Sequence, residues 1–216
     1  MAEEDFKISS ILDLVLSDVP GVPVPLAERW LRRAVYEFLQ RSQTWRVTHD
    51  PINLRKDLGT YDLDTPVETL IETVINVKLS GLRREPEIDF TLPERDIISL
   101  KAVPTKDTKD GMTLDLVLVT DPSCDAELDC RVYDDWAEYM AHGAKWKLMQ
   151  IQGKDWSSKD SASYHKKEFK RGINRAFTQA VRGKMNRNLS VVRRPWDLRR
   201  NKVNDSGFTG LVGFET

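Results

Sequence analysis

The sequence predicts an α+β protein: an antiparallel four-helix bundle with an inserted small antiparallel β-sandwich or barrel, and an extended C-terminal tail. Two patterns carry this prediction. Near the beginning and the end of residues 1–186, apolar residues recur every three or four positions, as in amphipathic helices. In the middle of this range, apolar residues alternate with polar ones, as in strands. The predicted domains are a bundle of 1–44 and 133–186, a β insertion of 45–132 and a C-terminal arm of 187–216.

Two helices are predicted before the β insertion. The first is short, with apolar residues at Ile8, Ile11, Leu12, Val15 and Leu16, and the Pro- and Gly-containing residues 18–23 end it. The second, 25–42, carries two adjacent apolar rows, which are Leu26, Trp30, Ala34 and Phe38, and Leu31, Val35 and Leu39. Such a wide apolar face predicts a helix packed on two sides, against the first helix and both later ones.

Short antiparallel strands are predicted between residues 45 and 132. The alternation at Trp45, Val47 and His49, the β-branched segment 70–79 and the apolar segment 111–120 indicate strands. Leu128, Cys130 and Val132 alternate with charged residues and predict a further strand.

Two more helices follow the β insertion. The first, 134–152, has Trp136, Met140, Ala144 and Leu148 at helical spacing, with Asp134 or Asp135 as its predicted cap. The second, 158–182, keeps helical spacing through Ala162, His165, Phe169, Ile173, Ala176 and Ala180. A short turn containing Gly153 separates them.

The segment after residue 186 has apolar and basic residues without a period. Alone it could not bury enough surface to order itself, so it is either disordered or folds on a partner. Its candidate anchoring residues are Leu189, Val191, Val192, Arg193, Arg194, Pro195, Trp196, Leu198, Phe208, Leu211 and Phe214.

Charge is unevenly spread along the chain. Residues 110–138 contain nine acids and one base, whereas residues 139–202 contain seventeen bases and four acids. This asymmetry indicates either two solvated faces of a monomer or subunits that attract one another. Candidate residues for such intersubunit attraction are Arg29, Arg32, Arg33, Asp125 and Asp129.

Catalytic and metal-binding patterns are absent from the sequence, and we expect neither an enzyme nor a cofactor. The three histidines lie far apart in the chain and are interpreted as structural. Cys124 and Cys130 form no disulfide framework, which favours synthesis in a reducing cytosol. No apolar run has the ~18 residues of a membrane span, and the acidic N-terminus does not resemble a signal peptide.

An acidic cluster leaves one catalytic alternative open. Its paired carboxylates could cleave a polysaccharide such as peptidoglycan or bind a metal, although their alternation is typical of a solvated strand face. The cluster consists of Asp121, Asp125, Glu127, Asp129, Asp134 and Asp135.

Nucleic-acid binding by the basic C-terminal segment is the main alternative function. Bases interleaved with an aromatic residue can bind phosphates and stack on nucleobases. Those residues are Arg182, Lys184, Arg187, Arg193, Arg194, Arg199, Arg200 and Lys202, with Trp196 among them. No known reading module surrounds them, and an acidic protein surface would suit them equally.

Two segments resemble the head-to-tail adaptor proteins of tailed bacteriophages, of the tail tubular protein A type. The first runs from DVPGVP at 18–23 through LAERWLRRAVYEFLQRSQTWR at 26–46. The second comprises Trp136, GAKWKLM at 143–149, KDWS at 154–157, YHKKEF at 164–169 and INRA at 173–176. The likeness covers residues 8–186, and the β region matches only in kind.

This resemblance implies a structural virion protein made in the host bacterial cytoplasm and located at the head–tail junction. It implies a homo-oligomeric ring of twelve copies, a dodecamer, lying between the portal protein and a tail nozzle or tail-completion protein. DNA would pass through the lumen without sequence readout. The C-terminal arm would dock on the portal, with Arg193, Arg194, Pro195 and Trp196 as its anchor.

Overall fold

The computed structural model describes residues 6–79, 82–84, 89–108 and 111–182. These residues lie within one compact unit, Met1–Gly183. The architecture is mixed α+β, as the sequence predicts at this coarse level, with four α-helices and three antiparallel sheets in the described residues.

The N-terminal part contains β1 (Phe6–Lys7), a 3-10 turn (Ile8–Ile11), α1 (Leu12–Leu16) and α2 (Val24–Ser42). Between α1 and α2 the chain turns at Gly21, whose φ of +84° favours glycine. Pro25 lies in the first turn of α2, where a backbone N–H is not needed. The prediction of helix 25–42 is thus confirmed within one residue at its start.

The C-terminal helices are α3 (Cys130–Met149) and α4 (Lys159–Arg182). The predicted cap of α3 at Asp134 or Asp135 is wrong, because the helix begins a full turn earlier. Asp129 caps it instead, accepting a hydrogen bond from the backbone N–H of Arg131 at 2.8 Å. Cys130 and Val132, predicted as strand residues, are therefore in the first turn of this helix.

The three long helices meet around an aromatic seam, which we define as Phe38, Trp136, Trp146 and Phe169. The Phe169 ring centroid lies 6.1 Å from that of Phe38 on α2 and 6.2 Å from that of Trp146 on α3. A Cβ atom at Gly143 would be 2.6 Å from Phe169 Cε2, so this glycine provides the space for the ring. As predicted, α2 packs against α1, α3 and α4.

The predicted four-helix bundle is wrong. The first helical segment comprises a four-residue 3-10 turn and a five-residue α-helix, too short to form a fourth bundle member beside helices of 19, 20 and 24 residues. The periodicity is correct, but Asp18 and the Pro- and Gly-rich residues after it end the helix early. Three long helices with one short helical segment replace the bundle.

The remaining strands are β2 (Arg46–Ile52), β3 (Thr60–Asp62), β4 (Thr69–Leu79), β5 (Leu82–Arg84), β6 (Phe90–Glu94), β7 (Ile97–Leu100), β8 (Met112–Thr120) and β9 (Glu127–Leu128). The sequence prediction contained neither β6 nor β7. Their signal is two short apolar segments separated by Arg95 and Asp96, which form the turn of a hairpin.

The strands form three sheets and not the predicted single sandwich or barrel. A four-stranded sheet has the order β2-β8-β4-β5, a three-stranded sheet has the order β3-β7-β6, and β1 pairs with β9. The last pairing could not be read from local patterns, because Phe6 and Leu128 are partners far apart in the chain. Helix α2 packs on β8, whose residues Val117, Leu118 and Val119 are all buried.

The hydrophobic core is continuous between the helices and the sheets. Phe38 and Leu39 of α2, Leu116 of β8 and Ile98 of β7 belong to one buried cluster. Among the described helices, none combines the length and apolar character that crossing a bilayer requires.

Candidate functional site

A polar cluster joins α3, α4 and the connection between α1 and α2. The Lys145 ammonium of α3 donates to Asp18 Oδ2 in the α1–α2 connection at 2.6 Å. One turn away, His142 Nδ1 lies 2.7 Å from Nδ1 of His165 on α4. Tyr164 packs its ring edge against both imidazoles. Lys145 and His165 are buried, so each polar group depends on its neighbour in this cluster.

The electrostatics of this cluster favour neutral imidazoles. Burial lowers the pKa of His142, and repulsion from Lys145 adds to the shift. The pKa of His165 is likewise lowered by burial and then by His142 and Lys145. In the neutral pair, one Nδ1–H donates to the other Nδ1. The first added proton can go to the free Nε2 of the donor ring, which keeps this bond. Protonation of both rings places a hydrogen on both Nδ1 atoms and breaks it, so the cluster is a proton-sensitive contact between α3 and α4.

The carboxylate of Asp18 balances the cluster from the opposite side. The hydrogen bond from Lys145 lowers the pKa of Asp18 below its ordinary value, since it stabilises the carboxylate. The interaction keeps a buried ammonium compensated. It also ties the α1–α2 connection to α3, which local periodicity does not predict.

Sequence reasoning treated the histidines as unrelated, and two of them are in contact. His142 and His165 are equidistant from the α3–α4 turn near Gly153, which brings them opposite each other in an antiparallel helical hairpin. This equal spacing from the turn is the feature of the sequence that could have predicted the contact between the two histidines. His49 lies elsewhere, where its Nε2 accepts from the backbone N–H of Asp64 at 3.1 Å and its Nδ1 donates to Asp50 O at 2.7 Å.

The predicted intersubunit cations on α2 differ in what they contact. Arg32 donates to the Ser123 carbonyl at 3.0 Å and to Glu28 at 3.3 Å. Arg29 and Arg33 are exposed, and the Arg33 guanidinium lies 5.4 Å from the centre of the Trp30 ring. These two therefore present charge at the surface, whereas Arg32 connects α2 to the loop before β9.

The predicted intersubunit acids both have partners inside the chain. Asp125 Oδ1 accepts from the backbone N–H of Ser9 at 2.9 Å, and Asp129 caps α3. Asp125 and Arg32 also line the same small cavity of ≈ 50 Å³. Their interactions in the structure stabilise local geometry.

The acidic cluster does not form the alternating strand face expected from its spacing. Only Glu127 is in a strand, Asp125 precedes that strand and Asp129 ends it as a helix cap. Asp121 accepts from the N–H and Oγ of Ser123 at 2.8 and 2.6 Å, and these bonds lower its pKa. Across the described part of the chain, no group of three or more His, Cys, Asp or Glu residues could hold a metal ion. Cys124 and Cys130 are not joined by a disulfide bond.

Helix α4 carries a row of exposed cations. Its cations Lys167, Lys170, Arg171, Arg175 and Arg182 are all exposed. Beside them, α2 and α4 border a groove of ≈ 430 Å³, with Ile173 and Phe177 as its apolar lining and Arg41, Lys170 and Asn174 as its polar lining. Of the basic C-terminal residues predicted to bind nucleic acid, Arg182 alone lies within the described residues, and it belongs to this helical surface.

The predicted portal-binding residues, from Leu189 to Phe214, lie outside the described residues. Comparison with known families and curated proteins adds no assignment: no family model matches this chain, and neither does any curated protein.

Proposed function

We propose that this protein is a structural head-to-tail adaptor, which forms a ring between the portal and the tail and docks on the portal through residues 187–216. The observation that carries the proposal is the resemblance of two segments to such adaptors, together with the positions of those segments. They supply α2, α3 and α4, which pack on one another with the β region inserted between α2 and α3.

Several residues in the two resembling segments make packing contacts that depend on the size or charge of their side chains. Gly143 admits the Phe169 ring, and Trp136 lies 6.0 Å from Phe38 between ring centroids. Lys145, in the same GAKWKLM segment, holds Asp18 of the DVPGVP segment. These contacts support a common helical framework, and the adaptor role is inferred from that framework.

Docking through residues 187–216 would make assembly sequential. A segment that orders on its partner loses conformational entropy at that moment, which weakens binding until the complete partner surface is present. In a closed ring each subunit also offers two different faces to its neighbours. Arg29 and Arg33, exposed on α2, are the proposed cations for such a contact.

Electron microscopy of the protein mixed with purified portal rings tests the proposal. We expect the full chain to add a ring of density to the portal, and a chain ending at Asn188 to remain monomeric and unbound. Thermal unfolding of both chains is the folding control, because the truncation removes no described residue. Normal portal binding by the truncated chain would refute docking through this segment.

A matched pair of substitutions sharpens this experiment. Replacing Arg193 and Arg194 by Ala is expected to weaken portal binding at least ten-fold, since both belong to the proposed anchor. Replacing Arg55 and Lys56, two exposed cations of the β region, is the charge-matched control and should leave binding within two-fold. Equal losses in both pairs would show that net charge alone matters.

A further inference from the structure

We infer that the exposed basic face of α4 binds the phosphate backbone of duplex DNA without sequence readout, an inference that rests on the proposed function for its place in the virion. We define this basic face as Lys167, Lys170, Arg171, Arg175 and Arg182. Three of these cations form no ion pair within the described residues, namely Lys167, Lys170 and Arg182.

Several cations of the basic face repel one another along the helix that carries them. Lys167 and Arg171 are four residues apart, as are Arg171 and Arg175, and like charges at this spacing destabilise a helix. Only Arg171 has an acidic partner on α4, Glu168 at 3.6 Å, and Arg175 donates to the Tyr139 hydroxyl at 3.4 Å. A bound anion would relieve the remaining repulsion.

The length of the basic face suits a polyanion better than a single anion. From Lys167 to Arg182 the helix rises about 22 Å, over which one strand of duplex DNA presents about six phosphates. One acid, Asp160, lies on the same side of α4 almost two turns before Lys167. The basic face therefore presents five exposed cations between Lys167 and Arg182, of which Arg171 is paired with Glu168, and it has no cation from residue 176 to residue 181.

The composition of the basic face favours DNA over an acidic protein. Protein interfaces are depleted in lysine and have an apolar centre, whereas phosphate contacts are made by Lys, Arg and small amide or hydroxyl side chains. Between the cations lies Asn174, whose amide can donate to a phosphate oxygen, and no large apolar side chain separates Lys167 from Arg175 on the exposed side. The apolar Phe177 lies at the edge of this face, in the groove that Lys170 and Asn174 also line.

Fluorescence anisotropy with a labelled 30-base-pair duplex tests this inference on the full chain between 50 and 300 mM salt. The face variant carries Lys167→Gln, Lys170→Gln and Arg182→Gln. Its matched control carries Lys78→Gln, Lys106→Gln and Arg55→Gln, which remove the same charge from exposed positions of the β region. Both variants keep residues 183–216, so DNA contacts made there are equal in the two proteins.

We expect the face variant to lose at least ten-fold in affinity at 100 mM salt. The slope of log K against log salt should become less negative by about two to three, which corresponds to three lost phosphate contacts. The control should change affinity less than two-fold. Duplex DNA should also raise the unfolding midpoint of the unmodified protein more than that of the face variant.

Three results would overturn the inference: equal losses in both variants, no loss in either, or competition by polyglutamate as effective as competition by unlabelled duplex. The last result would identify an acidic protein as the partner. The same two variants are then mixed with portal rings. Normal docking by a face variant that no longer binds DNA separates this inference from the proposed adaptor function, whose failure appears only in the portal experiment.

Discussion

The helical and β regions of this protein are held together in different ways. We call residues 6–44 and 129–182 the helical region and residues 45–128 the β region. In the helical region, the Phe169 ring fills the space left by Gly143. The pair Lys145–Asp18 connects α3 to the α1–α2 connection, and the pair His142–His165 connects α3 to α4. In the β region, Asp115 of β8 instead bridges Thr48 of β2 and Asn76 of β4 across the sheet.

The β region also presents more irregular and exposed features. Val67 and Leu82 are 86% and 66% exposed, and Asp57 and Glu68 have left-handed backbone conformations. The two regions also differ in how much of the proposed resemblance they carry. The segments on which the proposed resemblance rests lie in the helical region, where packing between helices restricts residue types.

Replacing Phe169 by Ala is the most severe test of this contrast. Phe169 is 1% exposed and contacts two other helices. Loss of its ring should lower the free energy of unfolding by about 3–5 kcal/mol, because a cavity would open between three helices. Denaturant titration measures the change. Phe177→Ala on the same helix is the matched control, since Phe177 is 43% exposed, and it should cost under about 1 kcal/mol. Equal losses would mean that the aromatic seam does not hold the helices.

The histidine pair predicts a smaller, pH-dependent effect confined to the helical region. The folded pKa values of His142 and His165 lie below 6.5, so the unfolded chain binds more protons as the pH falls below 6.5. Their contribution to stability is therefore complete above pH 6.5 and is lost as the pH falls through the lowered values. Thermal unfolding between pH 7.5 and 5 should show a falling midpoint.

The charges that face this pair set the controls for the pH experiment. Glu138, Glu168 and Asp18 raise the pKa of His142, whereas Lys145 lowers it. A His142→Gln, His165→Gln variant should have a flatter pH profile, and His49→Gln should retain the normal one. NMR titration of the ring protons provides a direct readout. Folded pKa values at or above 6.5 for both rings would contradict the prediction.

The smallest expected effect is a gain in the β region. Glu68 is exposed with φ of +63°, a conformation that costs a residue with a Cβ more than it costs glycine. Glu68→Gly should stabilise the protein by about 0.5 kcal/mol after the loss of chain entropy is included. Glu94→Gly, at an exposed position of β6, should destabilise it instead. Chemical denaturation of both variants decides the sign.

Local sequence patterns predict many of the helices and strands of this fold, but few of the contacts between them. The spacing of Leu31, Val35 and Leu39 identified α2, and Gly153 marked the turn between α3 and α4, because periodicity and turn chemistry are properties of neighbouring residues. The β6–β7 hairpin was not predicted, because its strands are too short to show a clear alternation of apolar and polar residues. The start of α3 differs from the prediction because Asp129, whose spacing is typical of a strand, caps the helix.

The sequence by itself determined the mixed α+β class, the long helices and the wide apolar face of α2. Only the tertiary structure decided that the first helical segment is too short for a bundle, that β1 pairs with β9 and that the strands form three sheets. It also decided that His142 meets His165 and that Asp125 binds Ser9. The physical reason is that each of these contacts joins residues distant in the chain, and local spacing does not specify which buried groups become partners.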